Sequence, residues 1–393
     1  MATYNLAATD LITLLNSTVT NPTGRAILES VESAFTSAFP FGNTLVQQTN
    51  GPASTVPAGY APTTSDTVAA GVQLELITLP TSTSITGSTY PTPTIGTESV
   101  RTGFTLSTSG GVVIGAGDQN VGVTDNNSGS TADTLIGGGG TERLISGLGS
   151  NVLVAGSGAN SLVGGSGADT LLGGGKSRLV AGTGANVLKS STLSTGNDTL
   201  VGSTGAELLV AQGGNNRLIA GSGANTLQGG SGHDTLVGGG KTDIVAGSGN
   251  ARIVESVTGA HDTITAGPGT DTVVLAYGVS LGASIIGSTG GLRIADLGGS
   301  NTLVGGTGKD SLVLTSVVSG VTQTNTSNQT ITTGTGGVRV VTNEAFANYQ
   351  LTTAPGGVNT VTFKDTGQTL TINDSTGTSV TLVFGDGHAA VKI

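Results

Sequence analysis

The chain has 393 residues, of which 68 are glycine, 3% are aromatic and 10% are charged, and its formal net charge is −10. This length allows a sizeable core or two to three domains, but with so few aromatic residues the core must be built from Leu, Val and Ile. The acidic balance argues against a nucleic-acid partner, and the lack of cysteine excludes disulfides, thiolate zinc sites and cysteine nucleophiles.

The spacing of apolar residues within residues 1–39 predicts a helical N-terminal segment. Ile27, Leu28, Val31 and Phe35 recur at the spacing of one helical face. We expect a small amphipathic capping element, or else a segment for oligomerisation or surface docking. The first residues lack a basic region followed by an apolar run, so we expect no Sec-type signal peptide. No stretch reaches the ~18 apolar residues that a membrane span needs.

Residues 40–127 are rich in Thr, Ser and Pro. Within them, Val72–Thr78 alternates between apolar and polar residues as a strand does. The pattern is compatible with an irregular β module and with an extended linker, and it does not separate the two.

Residues 128–315 carry a repeat of nine residues, dense up to residue 274 and fragmentary beyond it. Glycine stands at the second and fourth places, Asn or Asp at the sixth and leucine at the eighth, as in Ala155–Val163 and Gly164–Leu172. Nine residues fit one short strand and one tight turn, and glycine permits the positive φ that such a turn needs. We therefore predict an all-β fold, a parallel β-roll or β-solenoid in which two repeats make one coil.

A second level of order spans several repeats. The motif that begins at Asp133 recurs at Asp198 and Asp262, after 65 and then 64 residues. A shortened repeat of eight residues, Gly173–Val180, also returns as Gly238–Val245. The array is typical of growth by duplication of a block of repeats.

Residues 316–393 hold β-type runs separated by Asp- and Gly-containing turns. We expect a β-rich C-terminal cap that closes the array, with a tail that serves as a possible secretion signal.

The repeat resembles that of the RTX family, whose nonapeptide has the form Gly-Gly-x-Gly-x-Asp-x-U-x, with U a large aliphatic residue. Gly164–Leu172, Gly229–Val237 and Gly305–Val313 match this form. The resemblance implies a parallel β-roll with calcium between successive turns, held by Asp side chains and turn carbonyls, which are the hard oxygen ligands that calcium requires. It also implies export by a type I secretion system. The candidate calcium ligands are Asp133, Asp169, Asp198, Asp234, Asp243, Asp262, Asp271 and Asp310.

Acid and amide alternate at the sixth place of repeats on the same side of the roll. Counting 18 residues on from Asp133 gives Asn151 and then Asp169, and the same count from Asn225 gives Asp243. Few turns therefore face a second acid, which lowers the expected calcium affinity. The alternative is a largely metal-free roll in which stacked Asn amides bond to one another.

We find no catalytic constellation in the sequence. His233 and His261 precede an Asp in repeat turns, and with His388 they are the chain's three histidines. We interpret them as solvated turn residues, and Lys176, Arg178 and Lys241 as surface charge.

The sequence therefore favours a non-enzymatic, secreted structural protein at the cell surface or outside the cell. We expect a self-associating solenoid of a bacterial surface layer, fibre or matrix, aided by calcium, with cell-surface polysaccharide as a possible partner. The alternative is an extracellular polysaccharide hydrolase, lyase or epimerase carried on the solenoid.

Overall fold

The computed structural model describes residues 132–137, 141–156, 158–190, 196–255, 261–276, 282–318, 321–324, 327–354, 358–374 and 377–393, together with five strands between residues 46 and 125. The predicted N-terminal helix, within residues 1–39, lies outside the described residues. Within the described residues the fold is an all-β parallel solenoid, as predicted, and helix is confined to a 3-10 turn at Phe346–Asn348.

The chain divides into two compact units, Met1–Val201 and Gly202–Ile393. The strands of the first unit are β1 (Val46–Asn50), β2 (Leu74–Thr78), β3 (Thr102–Leu106), β4 (Val112–Ala116), β5 (Val121–Asp125), β6 (Thr134–Ile136), β7 (Glu142–Ile145), β8 (Val152–Val154), β9 (Asn160–Val163), β10 (Thr170–Leu172), β11 (Ser177–Val180), β12 (Val187–Lys189) and β13 (Thr199–Val201).

Two parallel sheets are formed in the first unit by alternate strands. Sheet A runs β1–β2–β4–β6–β8–β10–β12, and sheet B runs β3–β5–β7–β9–β11–β13. The strands between residues 46 and 125 therefore pair in register with those of the repeat array.

The second unit follows the same plan. Its strands are β14 (Leu208–Val210), β15 (Arg217–Ile219), β16 (Asn225–Gln228), β17 (Thr235–Val237), β18 (Thr242–Val245), β19 (Arg252–Glu255), β20 (Thr263–Thr265), β21 (Asp271–Leu275), β22 (Ser284–Ile286), β23 (Leu292–Asp296), β24 (Thr302–Val304), β25 (Asp310–Val313), β26 (Thr315–Val318), β27 (Val321–Thr324), β28 (Gln329–Thr332), β29 (Val338–Val341), β30 (Tyr349–Ala354), β31 (Val358–Phe363), β32 (Thr369–Asn373), β33 (Val380–Val383) and β34 (Val391–Lys392).

In this unit the parallel ladder continues past residue 315. Sheet A runs β14–β16–β18–β20–β22–β24–β28–β32, and sheet B runs β15–β17–β19–β21–β23–β25–β29–β33. Antiparallel strands then extend both sheets at the C-terminal end, β31 and β30 beyond β32 and β34 beyond β33. The strands β26 and β27 form a separate hairpin.

Leucine at the eighth place of the repeat builds the core. Leu153 pairs with Leu171 in sheet A and Leu162 with Leu179 in sheet B, and all four are fully buried. Their strand neighbours point outward because successive side chains of a strand lie on opposite faces. Each such leucine stabilises the fold by roughly 1.5–3 kcal/mol.

Glycine is required at the second and at the fourth place of the repeat for different reasons. Gly167, at the fourth place, has φ +127°, in the region that favours glycine. Gly165, at the second place, is required by close approach instead, since a Cβ there would lie 1.7 Å from the carbonyl oxygen of Gly147 in the preceding coil. At Gly165 the sequence-based reason, a positive φ, is therefore replaced by coil-to-coil packing.

Candidate metal centres in the polar rows

The sixth place of each repeat lies at or just before the start of a strand, with its side chain buried. These places stack from coil to coil into what we call the polar rows. In the first unit the rows are Asp133, Asn151, Asp169 and Asn186 along sheet A, and Glu142, Asn160, Ser177 and Asp198 along sheet B. In the second unit they are Glu207, Asn225, Thr242, Asp262, Ala283, Asn301 and Gln329 along sheet A, and Asn216, Asp234, Ala251, Asp271, Leu292 and Asp310 along sheet B.

Row members are joined by hydrogen bonds from backbone to side chain. The N–H of Asp133 donates to Oδ1 of Asn151 at 2.8 Å, and the N–H of Asn151 donates to Oδ1 of Asp169 at 2.7 Å. The same bond recurs at Asn160, Asn186, Asp198, Asn225, Asp234, Asp262, Asp271, Asn301 and Asp310. Row side chains therefore link successive coils, but through backbone N–H donors and not through the amide-to-amide ladder that the sequence allowed as an alternative.

The second polar atom of the row side chain distinguishes Asn from Asp. Nδ2 of Asn160 donates to the carbonyl oxygens of Gly156 and Gly158 in its own turn, at 3.0 and 3.1 Å. Oδ2 of Asp234 instead accepts the N–H of Gly230 at 2.9 Å. In an Asn turn the carbonyl oxygens therefore point at the row. The Nδ2 donor of the side chain occupies the place that a cation bound to those oxygens would take.

Seven of the eight candidate ligands lie buried in the polar rows, but the structure places no two of them in adjacent positions of a row. Their row neighbours are Asn, Ser, Thr, Ala, Leu or Val, which agrees with the expected scarcity of facing acids. Nor does the described part of the chain hold any group of three or more His, Asp or Glu side chains arranged to bind a metal. A cation here would be held by fewer side chains, with backbone carbonyl oxygens completing its shell.

Asp243 does not belong to a polar row, and its predicted register was wrong. Because Gly238–Val245 is one residue short, Asn225 pairs with Thr242, and Asp243 pairs with Thr226. Asp243 is therefore exposed on the outer face of sheet A.

Glu255 and Asp262 form a pair of buried acids, with Glu255 at the first place of its repeat and Asp262 in a polar row. Both are 1% exposed, and neither the two oxygens of Glu255 nor Oδ2 of Asp262 accepts a hydrogen bond from a donor of the chain. Their side chains face each other. Glu255 occupies the place that Gly238 holds one coil earlier, and a Cβ on Gly238 would lie 2.0 Å from either Glu255 oxygen.

Burial dominates the electrostatics of these acids. Burial, and then the Asp262 carboxylate, raise the pKa of Glu255 to about 9. Burial also raises the pKa of Asp262, Asp271 and Asp310, although backbone N–H bonds oppose the rise. Two facing acids fit a hard divalent cation, which would take the place of the proton that Glu255, with its pKa of about 9, holds at neutral pH.

Sequence reasoning missed Glu255 because it searched only the sixth place of the repeat. The available signal was a carboxylate at the first place, where earlier repeats of sheet B have Gly164, Ala181, Ala220 and Gly238.

A family model, the RTX calcium-binding nonapeptide repeat in four copies, matches residues 127–153, 145–176, 193–227, 210–245 and 293–314. The chain carries RTX calcium-binding repeats. These RTX repeats imply calcium binding, and they are typical of secreted bacterial proteins. The pair Glu255–Asp262 lies between the matched segments. No curated protein matches the chain. Among the described residues, no helix has the length and apolarity needed to cross a membrane.

Proposed function

We propose that this chain is a non-enzymatic secreted structural protein, a calcium-stabilised β-solenoid that self-associates into a surface layer, a fibre or an extracellular matrix. Type I secretion is the export route that fits RTX repeats. The observation that carries the proposal of self-association is an open strand edge at the C-terminal end of sheet A in the second unit.

That edge is β30. It pairs with β31 alone among the described strands, and its sequence, Tyr-Gln-Leu-Thr-Thr-Ala, has no charged residue. Every residue after Tyr349 is exposed, and Leu351 is 41% exposed. Natural sheets usually protect such an edge with charges, proline or a bulge, because its unpaired N–H and C=O groups template another strand. An uncharged edge supports pairing with a second copy of the chain.

For calcium, we propose Asp262 together with Glu255 as the strongest site. The other buried row aspartates, Asp133, Asp169, Asp198, Asp234, Asp271 and Asp310, remain candidate ligands of lower rank. For Asp234, Asp271 and Asp310 the reason is specific, since each carboxylate already accepts two backbone N–H bonds.

Light scattering of the purified chain against concentration, with calcium or with EGTA, tests the assembly. We expect growth that Thr352→Lys on β30 suppresses, because a lysine on the edge opposes pairing. The matched control is Thr335→Lys, at an exposed turn away from that edge. Assembly of Thr352→Lys at the wild-type rate would contradict the proposal.

A further inference from the structure

Most arginines of this chain share one kind of place in sheet B. Six of its eight arginines lie in sheet B, at the outward-facing place that follows the polar-row residue. In the second unit the paired residues along this line are, in strand order, Arg217, Thr235, Arg252, Thr272, Arg293, Ser311, Arg339, Thr381 and Lys392. In the first unit they are Gly103, Gly122, Arg143, Ser161, Arg178 and Thr199. We call this line the arginine stripe.

The stripe has a strict period. A cation stands on every second strand from β15 to β29, and a hydroxyl residue stands on each strand between. With strands ~4.8 Å apart, successive arginines are about 9.6 Å apart. Arg217, Arg252, Arg293 and Arg339 are all exposed.

The period belongs to one sheet only. The corresponding line of sheet A in the second unit has no cation and reads Leu208, Thr226, Asp243, Thr263, Ser284, Thr302, Thr330 and Thr371. In a chain of net charge −10, an ordered row of cations on one face is a concentrated positive feature.

A second row lies beside the stripe on the same face of sheet B. It consists of half-buried aliphatic residues, Ile219, Val237, Val254, Val274, Ala295, Val313, Val341 and Val383. Neither row contains a carboxylate among the described residues. The face therefore offers cations at fixed intervals, hydroxyls between them and an apolar strip alongside.

We propose that the arginine stripe binds a linear acidic polysaccharide, with guanidinium groups pairing with carboxylates of the polymer. A guanidinium holds a carboxylate through two parallel N–H bonds, which favours Arg over Lys for this task. The spacing is of the order of the two-sugar repeat of an extended polyuronate chain. The Thr and Ser hydroxyls meet sugar hydroxyls, and the aliphatic row meets the C–H faces of the rings.

The regular spacing of the arginines favours one class of anionic partner over the others. Lipid headgroups move laterally and require no fixed spacing. Single-stranded nucleic acid is usually held by aromatic stacking as well as by charge, and these two rows contain no aromatic residue. A polymer with carboxylates at fixed intervals uses both the charge and the period.

The test is binding of the full chain to polygalacturonate, a linear polyuronate, in EGTA and at about 50 mM salt, where charge pairing is weakly screened. We expect the triple variant Arg217→Gln, Arg252→Gln, Arg293→Gln to bind about tenfold more weakly. The matched control, Lys241→Gln, Lys309→Gln, Lys364→Gln, removes the same charge from exposed places off the stripe, and we expect a change below about twofold. Circular dichroism verifies that both variants fold, and neutral dextran should not bind.

A charge-neutral exchange isolates the period. Arg252→Thr combined with Thr272→Arg keeps the net charge but places two arginines on neighbouring strands. We expect weaker binding than for the wild type, and equal binding would overturn the role of the spacing.

Three results would overturn the proposal as a whole. One is the absence of polygalacturonate binding, and another is an equal loss in the lysine control. The third is tighter binding to phosphatidylglycerol vesicles or to DNA than to the polyuronate. Because the assay is run without calcium, its outcome is independent of the proposed calcium site.

Discussion

The backbone N–H of Asn151 donates to Oδ1 of Asp169 at 2.7 Å, although 18 residues separate them along the chain. The bond joins one coil to the next through a side chain and lies beside the ladder of backbone hydrogen bonds. This bond recurs along the polar rows. The sixth place of the repeat therefore fixes the register between coils, in addition to any part it has in binding an ion. Stability of this roll therefore rests on polar rows as well as on the leucine core.

Replacing Asn160 with Asp should convert a self-sufficient turn into one that needs a cation. The change removes the donations of Nδ2 to Gly156 and Gly158 and sets a carboxylate against two carbonyl oxygens. We expect a loss of about 1–3 kcal/mol in EGTA, partly recovered in calcium. Urea unfolding measures both, with exposed Asn343→Asp as control. An unchanged free energy of unfolding in EGTA would refute the role given to the amide.

Replacing Glu255 with Gln should stabilise the fold in the absence of metal, which is the opposite of the effect expected for Asn160→Asp. A neutral amide removes the cost of burying two ionisable carboxyl groups side by side. We therefore expect the free energy of unfolding in EGTA to rise by about 1–3 kcal/mol. The stabilisation by calcium should fall at the same time.

Asp296→Asn supplies the matched comparison for Glu255. Asp296 holds the same place in its repeat, but its Oδ1 accepts from Nδ2 of Asn301 at 3.0 Å and from the N–H of Gly298 at 3.3 Å. We expect that variant to be destabilised with or without calcium. If Glu255→Gln loses stability in EGTA as well, the two acids are not in conflict.

Replacing Gly165 with Ala should damage coil stacking. The added Cβ would lie 1.7 Å from the Gly147 carbonyl oxygen, which is backbone and must be displaced. We expect a loss of about 1–3 kcal/mol or more, the range for overpacked sites. Thermal unfolding measures the loss, and exposed Ala168→Ser should stay within about 0.5 kcal/mol of the wild type. A neutral Gly165→Ala would mean that the coils separate easily.

The C-terminal turn around Asp386 should weaken in acid. Its carboxylate accepts the N–H groups of His388 and Phe346, whose rings stack 3.7 Å apart, and these bonds lower the pKa of Asp386. A lowered pKa stabilises the fold above the ordinary Asp value of 3.8, and this contribution is lost as the pH falls through the lowered value.

Nuclear magnetic resonance of the Phe346 and His388 signals during an acid titration checks this prediction. Asp386→Asn should abolish the acid transition at these signals and leave those of Leu171 unchanged. A transition that persists in the variant would assign it to another group.

Most of the architecture followed from the sequence because the repeat is local. Each repeat holds its own turn glycine and its own core leucine, so the period alone predicts the roll and the burial of Leu153 or Leu171. Counting 18 residues along the chain correctly gave the neighbour in the next coil at Asp133, Asn151 and Asp169, where every repeat has nine residues. It failed at Asp243, because one missing residue in Gly238–Val245 turns the following side chain to the opposite face.

The partners of each side chain were decided by tertiary structure. The N–H that Asn160 or Asp234 accepts from the neighbouring coil belongs to a residue 18 places earlier in the chain, so strand pairing decides that partner. Glu255 meets Asp262 only because Gly238 leaves room one coil earlier. The arginine stripe likewise has no local signature, since its members lie 35 to 46 residues apart and are aligned by strand pairing alone.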